Sequence, residues 1–211
     1  MVLATLATLP MLSACNIIAP AVFLVEGPPK IDARFELPEK ASVVVFVDDM
    51  SSPPMGRATR LAIARAAQED LLKARVVARV IDASAAFEAA STETASRKLD
   101  VQTIGRSVGA DLVIHATIDS FTLTANEAEY MPTAVFRAKV IDTRIEDGAR
   151  IWPVDEPRGA TITAQPSQRP RTMPQSRGEA DRARGELATL TGQTLAKLFY
   201  THDRWQSVGG R

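Results

Sequence analysis

Residues 42–47 read SVVVFV, and this run constrains the chain more than anything else in it. Four valines and a phenylalanine in succession leave no polar face, so a strand built from them must be covered on both sides. Burial on both faces calls for a sheet flanked by helices. A helix is expected from about Met55 to Ala74, with Ser51, Ser52, Pro53 and Pro54 as cap and first turn. Its apolar arc holds Ala58, Leu61, Ala64, Leu71 and Leu72, interrupted by Gln68. Residues 76–81 read as a second strand, whereas 82–98, rich in Ala, Ser, Thr and Glu, show no clear period. A helix near 101–108 ends at Gly109, the residue type that most readily adopts the left-handed C-terminal turn.

Strands are expected at 111–118 and 134–141. The second alternates, with Val135, Arg137 and Lys139 to one side and Phe136, Ala138 and Val140 to the other. Asp147-Gly148, between Ile145 and Ile151-Trp152, is a hairpin signal. A Pro/Arg-rich loop follows near 153–178, with a short strand at 160–163. The last element is a helix over 177–201, whose seam holds Ala180, Ala183, Leu187, Leu190, Thr191, Thr194 and Leu198. The fold class is therefore α/β: a mixed sheet packed by helices, in β-α-β-α-β-β-β-α order, as a single domain at 41–201 with a tail at 202–211.

Composition removes several functions. Lys plus Arg equals Asp plus Glu, 25 each, so the chain lacks the excess charge that nucleic-acid binding draws on. One cysteine and two histidines, His115 and His202, allow neither an intrachain disulfide nor a Cys-based zinc cluster. Neither a glycine-rich phosphate cradle nor a G-x-S-x-G elbow occurs, and no cofactor or metal is expected.

The first 14 residues are uncharged, mostly apolar and end in small side chains, the pattern of a secretory signal peptide too short to span a bilayer. Leu12-Ser13-Ala14-Cys15 resembles the bacterial lipobox, in which a peptidase cuts before a cysteine whose thiol carries a diacylglycerol. That resemblance implies lipidation at Cys15, with residues 15–40 as a lipidated tether and membrane lipid as one partner. No Lys or Arg precedes Lys30, so the positive segment that usually opens such a leader is missing. Asn16, where Asp marks inner-membrane retention in some bacteria, favours the outer membrane.

Ile104-Gly105-Arg106-Ser107-Val108-Gly109-Ala110-Asp111-Leu112-Val113-Ile114 resembles a helix-to-strand junction shared by several envelope proteins. They include the TolB amino-terminal domain, the penicillin-binding-protein activator lipoproteins and the soluble part of the curli secretion channel. The stretch 136–143, with Asp147-Gly148 and Ile151-Trp152, resembles the strand, turn and aromatic return strand of the same group. The resemblance follows the order of elements over roughly 42–200. It implies a non-enzymatic, periplasm-facing envelope lipoprotein that docks onto an envelope partner, with cell-wall synthesis as the setting. The long membrane-spanning hairpins of the curli channel have no expected counterpart, since nothing here alternates over a comparable length.

Candidate chemistry is sparse. Asp48-Asp49 ends the first strand as the acid pair of a receiver domain does, and Asp82 could stand for a phosphoacceptor, but no lysine lies between Lys139 and Lys197 to complete the set. Acids at that place also suit a helix start. His115 sits inside an apolar strand and would serve a hydrolase only beside an acid or serine in a polar cleft. Arg158, Arg169, Arg171 and Arg177, with Arg182 and Arg184, cluster around the long loop and could touch acidic headgroups or an acidic partner. Trp152 and Trp205 are candidate interface anchors, with core packing the alternative for Trp152. A small-molecule or glycan-binding lipoprotein is the second reading, and an envelope hydrolase the third.

Overall fold

The computed structural model describes residues 29–91, 100–126, 129–145, 149–168 and 172–204. The elements are β1 (Lys30–Ile31), β2 (Ser42–Asp49), α1 (Arg57–Lys73), β3 (Arg79–Ile81), α2 (Ala83–Ser91), α3 (Val101–Ser107), β4 (Leu112–Asn126), β5 (Glu129–Asp142), β6 (Arg150–Trp152), β7 (Ala160–Ala164), α4 (Arg177–Ala196) and β8 (His202–Asp203). The main sheet runs β3-β2-β4-β5-β6, and β7 also pairs with β5. β2 is parallel to β3 and β4, and the other pairs are antiparallel, so the sheet is mixed and the expected α/β class is the one that forms.

Val43 to Val47 are all buried, as an apolar run without a polar face requires. One face of the sheet carries Val43, Val45, Ile114, Phe136, Ala138 and Val140 under α1 and α4. The other is only partly covered: Phe87 of α2 packs on Phe46 at 5.3 Å between ring centroids, and Gly105 of α3 lies against Val113. At the start of β2 and β4 a polar joint holds the strands. The Asp111 carboxylate accepts from Ser42 N at 2.7 Å and Ser42 Oγ at 2.8 Å, and Thr143 N donates to Asp111 O at 2.9 Å.

Several expectations are corrected. The buried stripe of α1 is Ile63, Ala64, Ala67, Gln68 and Leu71, while Leu72 is 49% exposed. Gln68 does not interrupt that stripe but belongs to it: its amide donates to Ile81 O and accepts from Ala83 N, which satisfies the polar group inside. The cap of α1 is Gly56, without a side-chain bond, because Ser51 is turned back onto Asp49. The unassigned stretch begins with a helix, α2, where Asp82 accepts from Ser84 N and Ser84 Oγ, each at 2.7 Å, ahead of the first turn. The last helix ends at Ala196 and passes into a 3-10 turn at Lys197–Phe199. Its buried arc includes Ala188, Gly192, Leu195 and Ala196, since it packs on α1 as well as on the sheet.

The largest difference is the length of β4 and β5, 15 and 14 residues, against about eight expected for each. Ser120 to Thr124 are half-buried on both sides and the register shifts near Ile118 and Thr122, which erases the period-two signal. Asp147-Gly148 lies outside the described residues, but β5 and β6 pair antiparallel on either side of it, Val140 opposite Trp152. Trp152 is buried between Phe35 and Phe199. Trp205 lies outside the described residues. Lys30–Ile31 pairs with His202–Asp203, and Arg34 N and Phe35 N donate to Leu198 O, so residues on both sides of 41–201 are tied to the domain.

Candidate functional site

Where α2 and α3 stop, the sheet shows polar side chains to the outside. Register explains which ones share a face. Phe46, His115 and Lys139 stand in one row across β2, β4 and β5, and Asp48, Thr117, Arg137 and Thr161 in the next polar row. Two depressions lie over them, of about 330 and 610 Å³. Both are lined by Arg137, Pro157 and Arg158, so they form one cleft.

Most of its charged groups are held by neighbours. His115 is buried, stacks on Phe46 at 5.9 Å between centroids, and places Nε2 3.1 Å from Asp48 Oδ2. The Asp49 carboxylate accepts from Ser51 N, Ser51 Oγ and Met55 N. Burial pushes that carboxyl up, but these donations, with Arg60 nearby, outweigh it and hold it below the usual carboxylate range. Arg137 grips Asp119 with two bonds, Nε to Oδ2 at 2.8 Å and Nη2 to Oδ1 at 2.6 Å. Lys139 is different. It is half-buried and makes neither a hydrogen bond nor an ion pair among the described residues. Burial draws its pKa down first, Arg150 and Arg137 lower it further, and Asp48 opposes them.

The rim is a built loop. Arg150 donates to the carbonyls of Pro153 at 2.8 Å, Pro157 at 2.9 Å and Val154 at 3.2 Å, tying residues 153–157 into one turn. Gly159 closes the loop at φ +101°, where a Cβ would stand 2.9 Å from Ala138 O. Arg158 lies between these two fixed points, exposed at the mouth of the cleft.

The cleft and the acid beside His115 that a hydrolase would need are therefore present. The arrangement is nonetheless poor for proton relay. A relay histidine offers one nitrogen to a carboxylate and the other to a nucleophile. Here Nε2 is turned to Asp48 and Nδ1 is sealed from solvent, while the hydroxyls lining the cleft come from Thr117 and Thr161. Asp82 caps α2.

Among the arginines singled out in the sequence, Arg158 lines the cleft, whereas Arg177 opens α4 and lines neither depression. Arg169, Arg171 and Cys15 lie outside the described residues. Sequence reasoning did not pick out Lys139, Arg137, Arg150 and Asp119. The only available signal was the alternation of β5, which set Arg137 and Lys139 on a common face.

No family model matches the sequence, and no curated protein matches it. Solved structures do show likeness. The PelC dodecamer from Paraburkholderia phytofirmans matches with 12% identity and a TM-score of 0.44, covering 86% of this chain and 98% of that one. Lipoprotein GNA1162 from Neisseria meningitidis matches with 15% identity and a TM-score of 0.42, covering 59% of this chain and 82% of that one. The LpoB C-terminal domain from Salmonella enterica matches with 11% identity and a TM-score of 0.39, covering 63% of this chain and 86% of that one. At this distance the likeness is one of general shape and assigns no role to any residue.

Proposed function

We propose that this chain is a lipid-anchored accessory protein of the bacterial envelope that docks onto another envelope protein and carries out no reaction itself. The reading rests on the β4–β5 hairpin. β2 ends opposite Ile118 and β7 ends opposite Ala134, so between Ser120 and Thr133 the two strands pair only with each other among the described residues. Open strand edges are templates for a partner's strand. The lipobox-like Leu12-Ser13-Ala14-Cys15 supports the anchor, and the His115 ring, with Nε2 on Asp48 and Nδ1 sealed from solvent, supports a binding rather than a catalytic role.

Two measurements test it. Cys15→Ser is expected to move the full chain from the membrane to the soluble fraction, and mass spectrometry of the wild type is expected to find an acylated cysteine at the mature amino terminus. An intact Met1 with an unmodified thiol would sink the anchor. For docking, a photo-crosslinking residue at Thr124 is expected to capture an envelope protein in intact cells, while the same residue at Thr189, exposed on α4, does not. Equal yields from both positions would count against the hairpin.

A further inference from the structure

We infer that the inner end of the cleft is a seat for the anionic group of an acidic sugar, a carboxylate or phosphate held between Lys139 and Arg158. The inference is independent of docking through the hairpin. The commitments of the neighbouring charges carry it. Asp48 lies against His115, Asp49 is bound into the loop after β2, and Arg137 is clamped by Asp119. Lys139 and Arg158 line the inner depression beside Asp48 and Asp49, and neither makes a hydrogen bond or a contact ion pair among the described residues, although Asp48 is near enough to favour the Lys139 charge.

A half-buried ammonium costs stability unless something pairs with it. Its long stem packs on the sheet, and an uncharged side chain of the same length would do that equally well. Within the fold the attraction of Asp48 offsets only part of that cost, since burial, Arg150 and Arg137 together outweigh it. Arg158 reaches the same place because Arg150 and Gly159 fix its loop, which is construction beyond the needs of a solvated turn. The outer end of the cleft differs in character. Asp155, Glu156 and Thr161 line it with the Arg137–Asp119 pair and Arg158, so acceptors suited to hydroxyl donors are added there to the shared arginines. An anion at one end and hydroxyl groups at the other describe a sugar bearing an acid. The two volumes, about 330 and 610 Å³, fall within the usual size of small-molecule sites.

The test is calorimetric titration of the purified full chain with glucuronate, glucose 6-phosphate, inorganic phosphate and glucose. Saturable binding of at least one of the two sugar acids is expected, with glucose weaker by roughly tenfold or more, a difference of about 1.4 kcal/mol. Which acid binds tells carboxylate from phosphate. Lys139→Met and Arg158→Gln are each expected to weaken that binding by about tenfold. Lys139→Met should melt no lower than the wild type, because it removes a partly desolvated charge, and Arg158→Gln alters only an exposed side chain. Unchanged binding in both variants would overturn the seat. Inorganic phosphate binding as tightly as the sugar acids would overturn the assignment to a sugar. No saturable binding of either acid up to about 10 mM would overturn the whole inference. Failure to crosslink through Thr124 would leave these results untouched.

Discussion

Gly192→Ala is expected to destabilise the protein by about 2–3 kcal/mol and to lower Tm by roughly 5–10 °C. A Cβ at this position would stand 2.3 Å from Ile63 O, 2.7 Å from the Ala66 Cβ and 2.8 Å from Ala67 N. Two of these three atoms are backbone of α1, so no rotamer change relieves the overlap, and the helices must move apart. Separation would loosen Ile63, Ala67, Leu187 and Leu195 together, all buried along this crossing. Alanine's better helix propensity returns only about 1 kcal/mol. Gly185→Ala supplies the contrast in the same helix. That glycine is exposed and a Cβ there meets nothing within 4 Å, so the propensity gain of up to about 1 kcal/mol should appear unopposed. Thermal melting of the two variants should therefore show shifts of opposite sign. A fall of similar size in both would mean that the α1–α4 crossing is looser than the structure has it.

That crossing shows where the sequence stops being informative. The helical period over 177–201 is legible, and so is the burial of Leu187 and Thr191, because leucines and threonines at helical spacing mark an inward face. The approach of a second helix onto Gly192 is not legible, since a glycine inside a helix reads only as a weak propensity. Gln68 is a related case. A polar residue in an apolar stripe looks like an interruption until the groups it satisfies, Ile81 O and Ala83 N, come into place from the next strand and helix. Strand interiors were easier. The SVVVFV run and the alternation of 134–141 carry their own burial pattern, and both appear as read. The outer half of the hairpin carried none, and its strands were expected too short.

The candidate site was legible only in fragments. His115, Asp48, Asp49 and Arg158 could each be named from residue type, but nothing local to them shows that β2 and β4 are parallel neighbours with Asp48 one row beyond His115. Lys139 was visible as the polar side of an alternating strand, which in most sheets faces water. Its half-burial depends on a loop 14 to 19 residues further along, closed by Arg150 and Gly159. Long-range placement of that kind leaves no trace in periodicity.

Asp111→Ala is expected to cost about 2–3 kcal/mol at neutral pH, and the loss should shrink in acid. The carboxylate takes two donations from Ser42, N at 2.7 Å and Oγ at 2.8 Å, at a residue only 7% exposed. Alanine leaves Ser42 N unpaired inside and leaves Ser42 Oγ only its longer bond to Gly109 O at 3.3 Å, and it loosens the point where β2, β4 and the end of β5 meet. These bonds from Ser42 hold the Asp111 carboxyl below its usual range, against burial and the nearby Asp142, with Arg144 assisting. A carboxyl depressed on folding adds stability in full above its unfolded value, near 3.9, and loses it as pH falls through the lower folded value. The gap in stability between wild type and Asp111→Ala should thus be constant from about pH 5 to pH 8 and narrow below about pH 4. Asp111→Asn separates the two contributions, because its amide oxygen still accepts from Ser42. It should cost about 1 kcal/mol at pH 7, and its acid limb should be shallower than that of the wild type. Chemical denaturation of the three proteins across this range measures both effects. A gap that stayed constant down to pH 3 would show that the Asp111 charge contributes nothing and that the joint is held by the backbone bonds of Ser42, Asp111 and Thr143 alone.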